Sequence, residues 1–366
     1  MAYKHLMCFH DIESCYNVKM EKMTLIQHTT ETENPILNNK NMTSRLVGRR
    51  SLLAATLGLA FKNTDAKSKH KAAPMVQEQK IANVEKINGA IERLQIKSGY
   101  VTELVVEAGK LKLKKILDTK DESVITPIAS LTKLLTILSV YEICDKQKIN
   151  RKDLIEIHNS EKDNARKSKQ KKIKVGQKFS IDKLIEMALI NSNNEAVEAL
   201  ARYVGNKLIG NGEGRDKFIK YMNDRAKSLH MHNSKFDSPS GLSAGNTSTP
   251  IDINTLVLVV YNSPYPIGSL TVETKGADLG HHIHLRNANA ILLEILEYDK
   301  DFEALIQKTG YIEESGKCIT LMVKNVHNKK IFIMNLFGTA RGHKGGSGDP
   351  IRRAKVKHIL SILRKI

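Results

Sequence analysis

Residues 127–136 read Pro-Ile-Ala-Ser-Leu-Thr-Lys-Leu-Leu-Thr, a serine and a lysine set in an apolar run. After Ser130 the leucines fall at positions 131, 134, 135 and 138, the spacing of a helix that buries one face. Pro127 ends any earlier helix, because its ring blocks the helical hydrogen bond. The stretch therefore predicts that Ser130 lies in the first turn of a core helix.

Ser130 and Lys133 are three residues apart, so their side chains leave the same face of that helix and can touch. A serine hydroxyl becomes a good nucleophile only when a base takes its proton. A lysine can be that base where burial or another cation lowers its pKa. The free N–H groups of a helix start also favour a developing oxyanion.

The Ser-x-x-Lys spacing alone is weak evidence in a chain with 58 lysines and arginines. Three further pairs match it: Ser68 with Lys71, Ser168 with Lys171, and Ser180 with Lys183. The first two lie in polar, lysine-rich segments, which favours a chance match. Ser180 precedes an amphipathic run, and for it we predict the role of helix N-cap.

Two later motifs distinguish Ser130 from the other serines. Residues 192–194 read Ser-Asn-Asn, and residues 308–310 read Lys-Thr-Gly. About 18 Å of nearly continuous helix would separate Ser180 from Ser192, too far for the two to share a proton. The chain between Ser130, Ser192 and Lys308 is long enough to bring all three to one cleft.

In this order, the motifs Ser-x-x-Lys, Ser-x-Asn and Lys-Thr-Gly resemble those of the penicillin-recognising serine enzymes. Their flanks are similar to the low-molecular-weight D-Ala-D-Ala carboxypeptidase/endopeptidase family, and within it to the endopeptidases of the penicillin-binding protein 7 type. The similar stretches are residues 129–134, 192–196, 222–226, 240–242, 287–292 and 308–318. The resemblance runs over residues 99–363.

The resemblance implies an α+β fold of the β-lactamase/transpeptidase type. An antiparallel sheet is then flanked by helices, with an all-helical lobe inserted between its strands. The implied activity is cleavage of D-alanyl peptide bonds in peptidoglycan stems or cross-links. By the same resemblance, Ser130 attacks the carbonyl, Lys133 takes the serine proton and Ser192 relays a proton to the leaving amine. No metal or organic cofactor is expected.

The resemblance also implies the substrate-binding residues. Asn194 is expected to hold the catalytic lysine and to hydrogen-bond the substrate amide. Lys308 and Thr309 are expected to bind the substrate carboxylate, and Gly310 to let its strand approach the substrate. The backbone N–H groups of the nucleophilic serine and of Tyr311 are expected to form the oxyanion hole.

Two rival functions share these motifs. A β-lactamase needs a group that activates water for deacylation, commonly a glutamate in a Glu-x-x-Leu-Asn loop, and no such segment occurs between Ser130 and Lys308. A wall-binding protein with a dead active site normally carries damage in at least one motif, whereas all three are intact here. The sequence does not separate endopeptidase from carboxypeptidase activity.

Composition indicates a globular protein with a basic surface. The 366 residues are 41% hydrophobic and carry a formal net charge of +19. Such a surface attracts polyanions, but no nucleic-acid motif is visible and the chain has no tryptophan. We therefore expect no nucleic-acid partner, and the resemblance implies peptidoglycan stems as partners and β-lactams as covalent inhibitors. Cys144 and Cys318 are expected in the core.

The chain is predicted to divide into four parts. Residues 1–44 read as an extension, and residues 45–66 as a signal peptide with arginines before an apolar run. Residues 67–97 read as a linker with an irregular helix, and residues 98–366 as the peptidase domain. The apolar run is too short for a stable span. A periplasmic, exported protein without a stable membrane anchor is therefore expected.

Residues 162–174 form a basic run in which seven of thirteen residues are lysine or arginine. The two interpretations are a solvated loop and a platform for acidic peptidoglycan stems. Elsewhere, strand patterns predict hairpins near residues 100–117 and 317–337, and helices are predicted at 180–191, 195–204, 215–229, 251–261 and 351–363.

Overall fold

The computed structural model describes residues 89–165, 173–274, 276–278, 284–289, 293, 296, 299–339 and 350–366. The predicted extension, the signal peptide and residues 67–88 of the linker lie outside these residues. In the described part of the predicted irregular helix, residues 89–94 make turns instead.

Five strands make one antiparallel sheet in the order β2-β1-β11-β10-β9. They are β1 (Ser98–Glu107), β2 (Lys110–Lys120), β9 (Phe302–Ile312), β10 (Gly316–Asn325) and β11 (Ile331–Thr339). Short two- and three-residue strands lie between β2 and β9: β3 (Thr126–Pro127), β4 (Leu154–Glu156), β5 (Lys178–Ser180), β6 (Thr247–Ser248), β7 (Ala277–Asp278) and β8 (His284–Leu285).

The described residues form eight α-helices. They are α1 (Lys133–Lys146), α2 (Asn159–Asn164), α3 (Ile181–Ile190), α4 (Asn194–Gly205), α5 (Gly214–Ser228), α6 (Pro250–Asn262), α7 (Ile267–Thr271) and α8 (Pro350–Leu363). The chain leaves the sheet after β2, builds α1 to α7, and returns to it at β9. The antiparallel sheet with an inserted helical lobe is therefore confirmed.

Alternate residues of β11 enter two separate cores. Ile333 and Phe337 pack with the helical lobe, while Phe332 and Met334 pack with the face that α8 covers. Side chains alternate across a strand, so both faces of this strand are buried. This explains why the strand reads as a nearly continuous apolar run rather than an alternating one.

The predicted hairpins are confirmed. The first turns at Ala108 and Gly109, which both have positive φ and pair Glu107 with Lys110. Positive φ at both central residues is the requirement of a tight turn whose twist suits two antiparallel strands. In the second hairpin, Lys324 pairs with Ile331.

The core helix after the motif serine differs from expectation in two ways. A 3-10 turn, Ala129–Thr132, precedes it, and the α-helix itself begins at Lys133. The expectation of one buried face was wrong, because every residue from Lys133 to Tyr141 is buried. The helix is enclosed by the sheet and by the other helices, so even Thr136 is internal and donates to the carbonyl of Pro239 at 2.7 Å.

Within residues 89–366, over the described ranges, no helix combines the length and the apolar character needed to cross a bilayer. Cys144 and Cys318 are buried, as expected.

Candidate active site

Ser130 lies in the 3-10 turn, one turn before Lys133 at the start of α1. The Nζ atom of Lys133 donates to Oγ of Ser130 at 2.9 Å. The same ammonium donates to Oδ1 of Asn194 at 2.8 Å and to the carbonyl of Ser240 at 2.6 Å. These three acceptors use its three N–H bonds and fix the lysine against the serine hydroxyl.

Lys133 is completely buried, at 0% exposure. Burial lowers the pKa of Lys133 well below its usual value, because a charged ammonium loses its hydration there. The positive charge of Lys308 lowers this pKa further, and the carboxylate of Glu198 opposes both. A lysine with so low a pKa can be neutral at physiological pH and can accept a proton from Ser130.

Ser192 and Asn194 flank the start of α4. Ser192 has φ +59, and the side chain of the next residue, Asn193, caps the helix by accepting from the N–H of Ala196 at 2.8 Å. The sharp turn at Ser192 ends α3 and begins α4 within four residues. On the two sides of Asn193, the Ser192 hydroxyl accepts from Lys308 and the Asn194 amide accepts from Lys133.

Strand β9 carries Lys308, Thr309 and Gly310 along the other wall of the cleft. Gly310 lies so close to the serine turn that a Cβ atom there would be 2.8 Å from the carbonyl oxygen of Ile128 and 2.9 Å from the backbone nitrogen of Ser130. Only glycine permits this approach without displacement. The strand and the serine turn are therefore in direct backbone contact.

Lys308 is almost as buried as Lys133, at 2% exposure. Its Nζ atom donates to Oγ of Ser192 and to the carbonyl of Thr309, both at 2.9 Å. Burial lowers the pKa of Lys308 to about 7, with a smaller contribution from the positive charge of Arg352. Tyr311, next along the strand, is 54% exposed.

A network of side-chain amides orients Thr309. The sequence interpretation gave this network no role. The hydroxyl of Thr309 donates to Oδ1 of Asn289 at 3.0 Å, and the amide of Asn289 donates to Gln307. Gln307 in turn donates to the carbonyl of Thr271 at 2.6 Å, which fixes the direction of the whole chain of hydrogen bonds. The sequence held one indication of this network, because Asn289 lies in residues 287–292, one of the stretches that resemble the family.

A second group missed by the sequence interpretation lies behind Lys133. Glu198 is buried on α4, accepts from Ser240 Oγ at 2.8 Å and pairs with Arg215 at 2.7 Å. Glu198 follows Asn194 by four residues, so helical spacing could have placed both on one face.

None of the other three Ser-x-x-Lys pairs is seen in a contact like that of Ser130 with Lys133 among the described residues. Ser180 caps α3 by accepting from the N–H of Lys183 at 3.2 Å, which confirms the predicted N-cap. The pairs at Ser68 and Ser168 lie outside the described residues. In the part of the chain that the structure describes, no three acidic, histidine or cysteine side chains are grouped to hold a metal ion.

The basic run is described only at its ends. Lys162, on α2, donates to Oε1 of Glu195 at 3.3 Å and to the carbonyl of Ile173. Glu195 follows Asn194 directly, so Lys162 links the run to the Ser-x-Asn motif. Residues 166–172 lie outside the described residues.

The chain is similar to several known proteins. A family model described as D-alanyl-D-alanine carboxypeptidase matches residues 102–337. A D-alanyl-D-alanine endopeptidase from Pseudomonas aeruginosa is 29% identical over 231 residues, which are 61% of this chain and 68% of the relative. A second, from Escherichia coli, is 27% identical over 240 residues, 62% and 69% of the two chains. Penicillin binding protein 5 from Haemophilus influenzae superposes with a TM-score of 0.60 at 19% identity, covering 74% and 70%. This last likeness shows the fold.

Proposed function

Because the chain belongs to the D-alanyl-D-alanine carboxypeptidase family, we propose that it is a serine peptidase that cleaves D-alanyl peptide bonds of peptidoglycan through an acyl-enzyme. The observation that carries the proposal is the contact of Lys133 with Ser130 and Asn194. It places a buried base on a hydroxyl at the edge of a cleft whose other wall is Lys308 and Thr309.

In the first step, Oγ of Ser130 attacks the carbonyl carbon and its proton passes to Nζ of Lys133. The backbone N–H groups of Ser130 and Tyr311 would hold the oxyanion, and the close approach at Gly310 supports that pairing. The tetrahedral intermediate then collapses and the C–N bond breaks. The proton that Lys133 took from Ser130 passes through the Ser192 hydroxyl to the leaving amine, which leaves Lys133 neutral again. Water later hydrolyses the serine ester.

Substrate binding is proposed for the Lys308 side of the cleft. The ammonium of Lys308 attracts a carboxylate on the leaving-group residue. Thr309 can donate to the same carboxylate once its hydroxyl turns away from Asn289, since a hydroxyl proton rotates freely. Asn194 would use its amide N–H groups on the substrate while its oxygen holds Lys133.

Because the relatives from Pseudomonas aeruginosa and Escherichia coli are named endopeptidases, we propose cross-linked peptides rather than free stems as the substrate of this chain. Purified cross-linked and uncross-linked muropeptides separate the two activities. An endopeptidase converts cross-linked dimers into monomers, whereas a carboxypeptidase removes the terminal D-alanine of pentapeptide stems. If neither substrate is consumed, the proposed function is wrong.

We also propose that the protein is exported to the periplasm, which rests on the basic and apolar pattern of residues 45–66. N-terminal sequencing of the protein from a periplasmic fraction should return a start near Lys67. A start at Met1 from a cytosolic fraction would contradict it.

A further inference from the structure

Glu198 lies one turn after Asn194 on α4 and faces the base of the active site rather than the cleft. Its side chain is 1% exposed, and both carboxylate oxygens are engaged. Oε1 accepts from Ser240 Oγ at 2.8 Å, and Oε2 accepts from Nε of Arg215 at 2.7 Å. These two partners hold the buried carboxylate in one orientation.

Ser240 connects this carboxylate to the general base. Its hydroxyl donates to Glu198, while its backbone carbonyl accepts from Nζ of Lys133 at 2.6 Å. The residue after Ser240 is also held in place, because Gly241 has φ +81 and packs against the carbonyl of Ala129. Glu198 thus holds the residue that supplies one of the three hydrogen bonds on the Lys133 ammonium.

Few charges act on Lys133. Lys308 faces it from β9 and lowers its pKa, whereas Glu198 from α4 raises it. Arg215 on α5 offsets part of the Glu198 charge. The next acidic side chain on α1, Glu142, forms its own ion pair with Arg225 at 2.8 Å.

We propose that Glu198, paired with Arg215, is a positioning residue for Lys133 that acts through Ser240 and through its charge. The Arg215–Glu198 pair sets how much negative charge reaches the lysine, and hence the pH at which Lys133 becomes neutral enough to take the serine proton. This inference rests on the proposed function, in which Lys133 is the base.

The rate of acylation should fall at low pH, where Lys133 is protonated. Two substitutions should move this acid limb in opposite directions. Glu198→Gln keeps the size of the side chain but removes its charge, so Lys133 deprotonates more readily. Arg215→Gln can still donate to Glu198 but no longer offsets it, so Lys133 holds its proton more tightly. We expect the acid limb of the rate of acylation by a fluorescent penicillin to move down with the first and up with the second, each by about half a pH unit or more.

The control is Arg225→Gln, which also removes a positive charge from α5. Arg225 pairs with Glu142 of α1 and not with Glu198. Its acid limb should coincide with that of the unmodified protein. A role confined to folding would lower the rate at every pH without moving the limb. If both limbs stay in place, or both move the same way, the inference is wrong.

Thermal unfolding shows whether each variant folds. Arg215 is 27% exposed, so we expect Arg215→Gln to fold even if Glu198→Gln does not, and it then tests the inference by itself. An upward shift supports the inference, and no shift overturns it. The unmodified protein separates the two proposals. If it is not acylated at any pH, the proposed function and this inference both fail. If it is acylated with a limb that neither variant moves, only this inference fails.

Discussion

The Nζ atom of Lys308 lies 2.9 Å from Oγ of Ser192, a residue 116 positions earlier in the chain. An ammonium has no lone pair, so Ser192 must accept this hydrogen bond. The serine keeps its own proton, which it can give to a leaving amine. Lys133 donates to Ser130 in the same way on the other wall. Each lysine is thus bound to one serine hydroxyl.

Replacing Ser130 with alanine should abolish acylation and peptidase turnover without unfolding the protein. The nucleophilic oxygen is lost, while the buried contacts of the 3-10 turn remain. The matched control is Ser180→Ala, which removes a hydroxyl from another Ser-x-x-Lys pair. Since Ser180 only caps α3, we expect a stability cost of about 1 kcal/mol and nearly normal turnover. Loss of turnover in the control alone would mean that the nucleophile is assigned wrongly.

Gly310→Ala should separate β9 from the serine turn. The new Cβ would meet backbone atoms of Ile128 and Ser130 at 2.8 and 2.9 Å, and backbone cannot swing aside as a side chain can. We expect acylation to slow by about 100-fold, the effect of a misplacement of about 1 Å. Gly89→Ala is the control, since its Cβ would meet only the flexible end of Arg93. Equal acylation rates for the two variants would contradict the proposed geometry.

The pH dependence of kcat/KM should show an alkaline limb near pH 7. Lys308 has a pKa of about 7 because it is buried, and above that pH it loses the charge that attracts the substrate carboxylate. For a free-enzyme group, kcat/KM should then fall about tenfold per pH unit. Lys308→Arg keeps its charge at all these pH values and should move the limb upward. If the alkaline limb is unchanged in Lys308→Arg, the limb reports the titration of another group.

Penicillin should acylate Ser130 and remain attached. The leaving amine of an opened β-lactam stays tethered to the acyl group and blocks the approach of water, whereas the leaving amine of a peptide departs. In addition, no acidic side chain among the described residues hydrogen-bonds to Ser130 or Lys133 to activate a water in its place. Denaturing electrophoresis after labelling with a fluorescent penicillin should show a band that Ser130→Ala loses. Rapid, repeated hydrolysis of a chromogenic β-lactam would favour the β-lactamase alternative instead.

The two interpretations of the basic run, a solvated loop and a platform for acidic wall polymer, predict different binding to purified sacculi. If the run is a platform, changing lysines 167, 169, 171 and 172 to glutamine should weaken this binding and flatten its salt dependence, because charge–charge attraction in solvent is screened beyond about 10 Å at 0.1 M salt. The control makes the same change at lysines 110, 112, 114 and 120 of β2. Equal losses in both variants would reflect net charge alone, and no loss in the first would favour a solvated loop.

Local features of this protein were readable from the residues alone. Ser130 and Lys133 are three positions apart, and a single turn of either helix type puts them side by side. The caps and the turns, such as Ser180 and Ala108–Gly109, depend on a few neighbouring residues. The three motifs in order indicated the family, and hence the sheet with its inserted lobe. The pair, the caps and the turns involve short-range geometry, which sequence spacing encodes directly, whereas the fold was implied by the resemblance.

The remaining partners of the two lysines, the Ser240 carbonyl for Lys133 and the Ser192 hydroxyl for Lys308, were decided only by the tertiary fold. Nothing local to Glu198 shows that Ser240 will lie against it, or that the same Ser240 will hold Lys133 through its carbonyl. The basicity of Lys133 and Lys308 likewise follows from burial, since each lysine would keep an ordinary pKa in water. The sequence determined which residues could react. Packing of the sheet against the helical lobe determined their charge states and contacts, because desolvation and long-range hydrogen bonds exist only once the chain has closed around them.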